Sequence, residues 1–168
     1  MTAEQARLIP FALSSVVFAA DRLTKVWIVA NLSLWDVIPV IPGLFNIIHS
    51  ENTGMAFSLL QDAPEAVRTT VLIGFAGAVL CVVAWMLWKA ETRWQRIALA
   101  LVLGGALGNL YDRIVRGSVT DFLDVFAGTV HWPTFNVADS AITVGALMIV
   151  FELLRSPAPK TAPSCSPK

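Results

Sequence analysis

The sequence predicts a membrane all-α bundle, four transmembrane helices carrying a small extramembrane β-rich element on the outer face. Three observations lead there. Of 168 residues, 56% are hydrophobic and only 14% charged, with mean hydropathy +0.68. That is more apolar surface than a soluble core of this size can hide. Four windows each hold about 20 mostly apolar residues, the length that crosses a bilayer at a rise of about 1.5 Å per residue. The connection between the first two windows is rich in β-formers and broken by prolines.

The spans are expected at about 8–30, 69–88, 97–115 and 136–154. Leu8 to Ala20 has the look of a signal-peptide core, but the run continues through Asp21, Arg22 and Lys25 into Val26 to Leu32, so it reads as one spanning helix kept in the mature protein. The link with Lys89, Glu91, Arg93 and Arg96, and the end with Arg155, Lys160 and Lys168, are the cytoplasmic segments by the positive-inside rule. The connections 31–68 and 117–135 hold a single Lys or Arg between them, Arg68, and so face outward with both termini inside. In the first of these, Val37 to Ile48 with Pro39 and Pro42-Gly43 predicts short strands within a β-rich segment of about 37–60. Asp62-Ala63-Pro64-Glu65 has capping-box spacing before the second span. Residues 1–155 are read as one domain and 156–168, rich in Pro and Ser, as a disordered cytoplasmic tail.

The net charge of zero gives no basis for binding nucleic acid. Cys81 and Cys165 make no disulfide framework, and His49 and His131 stand alone, so neither a metal nor another cofactor is expected. The expected surroundings are membrane lipids, and the expected working unit is a monomer.

Charged groups inside spans are costly, which makes them the first candidates for function. Asp21 and Lys25, at i,i+4, can pair on the first helix and neutralise each other. On the third helix Gly104 and Gly108 form a small-xxx-small pattern for close packing. Asn109, Asp112, Arg113 and Arg116 lie with Gly105 on one stripe, which either faces a cavity or lets the arginines snorkel. The fourth helix opens with Asn136 and Asp139 and continues the stripe through Ser140 and Thr143. Asp121 and Asp139 flank one extramembrane connection, so they lie on the same side of the bilayer in either orientation. Two carboxyls sharing a site cannot both ionise easily, which suits general acid–base activation of a water. Spacing alone does not choose between Asp121 and Asp124; a cap or a solvated loop position explains Asp124 equally well. The rival class, a small transporter or proton-conducting protein, calls for polar residues at several depths, whereas these crowd one edge.

Five boxes, spread over 21–143, resemble those of the lipoprotein signal peptidases, or signal peptidase II family, which are bacterial inner-membrane aspartyl proteases. They are Asp21-Arg22-Leu23-Thr24-Lys25, Asn52-Thr53-Gly54-Met55-Ala56-Phe57, Gly104 through Arg113, Val119-Thr120-Asp121-Phe122, and Phe135 through Ser140. The resemblance implies that Asp121, the aspartate followed by Phe122, is catalytic together with Asp139. It also implies that Asn52, Gly54, Asn109, Arg113 and Asn136 line the substrate site, and that Asp21, Lys25, Gly104, Gly108 and Ala138 support it. The implied substrate is a diacylglyceryl-prolipoprotein, cut before its lipidated cysteine near the outer, periplasmic face of the inner membrane.

Overall fold

The computed structural model describes residues 3–53 and 64–155. Gly54, Asp62, the 54–60 part of the expected β-rich segment and the expected disordered tail with Cys165 lie outside the described residues. Four helices, α1 (Ala3–Asn31), α2 (Glu65–Lys89), α3 (Arg93–Arg116) and α4 (Val137–Arg155), alternate with four strands, β1 (Val37–Ile41), β2 (Phe45–Asn52), β3 (Val119–Ala127) and β4 (Val130–His131). Three helical segments among the described residues, Thr69–Lys89, Arg93–Arg116 and Val137–Arg155, are long and apolar enough to cross a membrane. α1, with 29 residues, is long enough at about 43 Å, but it carries Asp21, Arg22 and Lys25 within its apolar run. The surface is inverted relative to a soluble protein: Leu23, Phe75, Trp85, Leu147 and Leu154 are exposed, whereas Asp21, Lys25, Asp112 and Asn136 are buried.

Helix α3 is the centre of the bundle because small residues line two of its faces. A Cβ on Gly104 would stand 2.6 Å from the Ser14 carbonyl oxygen of α1, and one on Gly105 would collide with the Ala138 carbonyl of α4. Gly145 of α4 returns the arrangement, its absent Cβ falling 2.5 Å from the Ala98 carbonyl. Backbones approach this closely only where side chains are missing. Leu80, Val83 and Leu87 of α2 pack on Leu99, Ala100 and Leu103 of α3. Thr92 caps the start of α3 by accepting the Gln95 N–H at 3.0 Å, and Gly117, with φ 76°, ends it in the left-handed conformation that favours glycine.

The strands form one antiparallel sheet in the order β1-β2-β3-β4. Pro39 is tolerated because β1 is an edge strand. The chain reaches the sheet from the end of α1, leaves it towards α2, re-enters from the end of α3 and exits into α4, so the sheet sits at one end of the bundle. Ile28, Leu32 and Phe122 weld it there, with Ile47, Leu123 and Val137 packed around them. The expectation of strands over 37–48 matches β1 and β2, whereas β3 and β4 occupy a connection for which no strand was anticipated. The reason lies in burial: β3 is covered on both faces over most of its length, so it lacks the alternation that marks a strand. α2 begins at Glu65 after Pro64, with no side-chain capping bond.

Candidate active site

The first turn of α4 organises the site. Asn136 precedes the helix, and its side-chain oxygen accepts the Asp139 N–H at 2.9 Å while the Asp139 Oδ2 accepts the Asn136 N–H at 3.2 Å. This reciprocal pair has the logic of a capping box and fixes the Asp139 rotamer. An acidic group here also suits the positive end of the helix dipole. Asp21 of α1 satisfies a further N–H of the same turn, that of Ala138, at 3.0 Å. The Asp139 Oδ1 in turn accepts the Asn109 side-chain amide at 2.7 Å.

Asp121 projects from β3 and is buried, 2% exposed. Its Oδ1 accepts from Asn136 Nδ2 at 2.7 Å and its Oδ2 from Asn52 Nδ2 at 3.0 Å. Asn136 thus holds both candidate carboxyls, one through its side chain and one through its backbone. Burial pushes the Asp121 carboxyl up to about 6 and the charge of Asp139 adds to the rise, against the bonds from Asn52 and Asn136 and the more distant charge of Lys25. Asp139 is half-buried, so the two carboxyls occupy unequal environments.

Behind the pair lies a buried ionic cluster. Lys25, fully buried, forms ion pairs of 2.9 Å with Asp21 Oδ2 and Asp112 Oδ2 and donates to Asn109 Oδ1 at 2.9 Å. The lysine can only donate, so it fixes the orientation of the Asn109 amide and aims its nitrogen at Asp139. Arg22 pairs with Asp112 and lies 4.4 Å from the centre of the Tyr111 ring. Two acids and two bases balance, as burial of charge requires. The anticipated Asp21–Lys25 pair is therefore present, but each partner also has a second task. A Cβ on Gly108 would collide with the Asp21 carboxylate, so glycine makes room for that side chain.

Arg113 is half-buried, with one long bond from Nη1 to the Asn109 carbonyl at 3.4 Å, and it is attracted by Asp139, Asp121 and Asp112. Arg116 does more than snorkel, since Nη2 donates to Glu51 at 2.9 Å. Asp124 is neither a helix cap nor a solvated loop residue. It is buried in β3, accepting from Asn46 at 2.9 Å and bonded to His131 Nδ1 at 2.8 Å. Burial would raise its carboxyl, but these two bonds and the His131 charge outweigh it and hold it below the ordinary range. Asp112 and Glu51 are the polar groups whose importance sequence reading understated. Asp112 was visible only as one member of a stripe. Glu51 has partners at 116, 118 and 120, far along the chain, and no local signal.

The family model described as signal peptidase (SPase) II matches residues 13–155. The chain is 48% identical over 148 residues to the lipoprotein signal peptidase of Solibacter usitatus (strain Ellin6076), covering 86% of this chain and 90% of that protein. It is 42% identical over 152 residues to the lipoprotein signal peptidase of Yersinia pseudotuberculosis serotype O:1b, covering 89% of each. Its fold is similar to a bacterial membrane enzyme solved by the in meso method at 1.9 Å, with a TM-score of 0.78, 28% identity, and coverage of 89% of this chain and 94% of that one.

Proposed function

The chain belongs to the signal peptidase II family, and we propose that it is an aspartyl endopeptidase that cuts diacylglyceryl-modified prolipoproteins before the lipidated cysteine, with Asp121 and Asp139 activating a water. The observation that carries this reading is the Asn136 bridge, in which one residue holds two carboxyls of unequal burial. Asp139, the more exposed, takes a proton from water as the oxygen attacks the scissile carbonyl carbon. Asp121, in its protonated form, gives its proton to the carbonyl oxygen, and a gem-diol results. Asp139 then protonates the departing amine while Asp121 recovers a proton from a hydroxyl, so the pair ends as it began.

Asn52, Gly54, Asn109, Arg113 and Asn136 are proposed as the substrate-side lining. The amides of Asn52, Asn109 and Asn136 already donate to the two carboxyls, so we read these three as holding the dyad first. Arg113 then contacts the substrate backbone. Apolar walls for acyl chains exist on the outer half of α2, where Val67, Val71 and Phe75 are exposed and Gly74 and Gly77 meet no described atom within 4 Å. α1 is proposed as a fourth span. Its Asp21 and Lys25 point inward at 0% exposure, whereas Leu23, Val26 and Trp27 face outward. With Lys89, Arg93, Arg96 and Arg155 at the cytoplasmic end, both termini are cytoplasmic and the dyad lies near the periplasmic face of the inner membrane. Residues 1–155 act as one peptidase domain in a monomer.

The test is cleavage of a diacylglyceryl-modified prolipoprotein by purified variants. Asp121→Asn and Asp139→Asn should each lose at least about 10²-fold in kcat while remaining folded and inserted, and Asp124→Asn should retain most activity. Substantial turnover by either dyad variant overturns the mechanism.

A further inference from the structure

Side chains alternate across a strand, and Glu51 lies directly opposite Thr120 in the β2–β3 pair. These two therefore occupy the face opposite Asn52 and Asp121. On that face the Glu51 carboxylate gathers three donors: Oε1 accepts from Arg116 Nη2 at 2.9 Å and Thr120 Oγ1 at 3.1 Å, and Oε2 accepts from Ser118 Oγ at 2.7 Å. His49 Nε2 stands 3.2 Å from Oε1, and its Nδ1 donates to the Leu32 carbonyl, just past the end of α1, at 2.8 Å. Burial would raise the Glu51 carboxyl, but Ser118, His49, Arg116 and Thr120 together outweigh it and hold it low, so it stays an acceptor for all of them.

The location gives this cluster its consequence. The β2–β3 register shifts between Ile47 and Ser50, immediately before the segment that carries Asn52. A slip of one residue turns every following side chain to the wrong face, so a side-chain clamp at residue 51 decides whether Asn52 and Asp121 meet. The clamp also reaches Asp121 by a second route. Thr120, held by Glu51, precedes Asp121 in the chain, and its carbonyl accepts from Asn136 Nδ2 at 3.3 Å.

We propose that Glu51 is a positioning residue for Asp121, locking β3 to β2 and to the end of α3 so that Asn52 and Asn136 both reach the Asp121 carboxyl. This rests on the dyad reading above. Glu51 touches neither substrate nor water in the reaction; it acts through Asn52 and Thr120.

The experiment compares Glu51→Ala, Glu51→Gln and Thr120→Val with the unaltered protein in prolipoprotein cleavage, following kcat, KM and the pH profile, with Asp121→Asn alongside. Glu51→Ala should lower kcat about 10- to 100-fold, the scale of a misplacement near 1 Å, with KM changed by less than about threefold. Glu51→Gln, which keeps an acceptor for Ser118, and Thr120→Val should lie between it and the parent. In each, the pH limb belonging to Asp121 should move, because its hydrogen bonds from Asn52 and Asn136 change. A parental kcat in folded variants overturns the proposal, as does a lowered kcat with an unmoved pH limb, which marks a merely structural role. If Glu51→Ala does not fold, Glu51→Gln and Thr120→Val decide by the same readouts. Activity retained by Asp121→Asn would overturn the dyad itself, whereas an inactive Asp121→Asn beside an unaffected Glu51→Ala overturns only the positioning role.

Discussion

Asp121→Asn should abolish cleavage and yet gain stability on its parent as pH rises from about 4 to about 7.5. The carboxyl is raised from 3.8 to about 6 in the folded protein, so folding makes its ionised form less favourable than it is in the unfolded chain. A raised acid binds its proton more tightly in the folded state. Its stabilising contribution is fully present below about 3.8, is lost as pH rises through about 6, and leaves a penalty above. A shift near two units corresponds to about 3 kcal/mol, of which about 2 to 3 kcal/mol develops between pH 4 and pH 7.5. Asparagine carries no such penalty, but its amide nitrogen faces the Asn52 or Asn136 donor, an unmatched contact costing about 1 to 3 kcal/mol at every pH. The pH-independent cost cancels in a difference of differences. The assay is therefore the thermal midpoint of both proteins in one detergent at pH 4 and pH 7.5. The variant should gain on its parent by about 2 to 3 kcal/mol over that interval, and by less in an Asp139→Asn background, where one cause of the raised carboxyl is gone. A gain that does not change with pH, or one that falls as pH rises, refutes the reasoning.

Two further substitutions probe the support. Lys25→Met leaves Asp21 and Asp112 buried together without their shared cation, and should cost about 3 to 5 kcal/mol; a thermal midpoint equal to the parent's would remove the cluster from any structural role. Gly108→Ala should destabilise by about 1 to 3 kcal/mol because the new methyl meets the Asp21 carboxylate, whereas Gly77→Ala, with no described atom within 4 Å, should be neutral or gain up to about 1 kcal/mol from helix propensity. Equal midpoints for the two alanines would contradict the close α1–α3 approach.

The helices were legible because a bilayer demands long apolar runs, and any charge within them stands out. Asp21, Lys25, Asn109 and Asp139 were visible for that reason, and the two-sided chain order brought Asp121 and Asp139 to one face without knowledge of orientation. What the residues alone did not convey was β3, the strand that aims Asp121. β3 is buried on both faces over most of its length and so carries no period of two. Once it is known to be a strand, the spacing of three between Asp121 and Asp124 separates them at once, because an odd step turns a side chain to the other face. The bonds agree: Asp121 meets Asn52, while Asp124 meets Asn46 and His131. Glu51 was illegible for a different reason. Its carboxylate acquires meaning only when Arg116, Ser118 and Thr120 arrive from about 65 residues away, and no pattern within one segment encodes that meeting.

The two carboxyls differ because the elements that present them differ. Asp139 sits in the first turn of a helix whose N–H groups need acceptors, half-open to the surroundings and fixed by its own cap. Asp121 sits in a strand whose neighbours exclude water, so burial favours the proton. A pair built from two helix caps, or from two strands, would tend toward equal carboxyls and would have to break that symmetry by other means. Here the secondary structure itself separates the proposed base from the proposed acid, and Asn136, the last residue before α4, couples them while belonging to both environments. Removing that coupling by Asn136→Ala would leave both aspartates present but independently oriented, which is why the amide bridge, rather than the mere presence of two acids, is the feature on which the proposed chemistry stands.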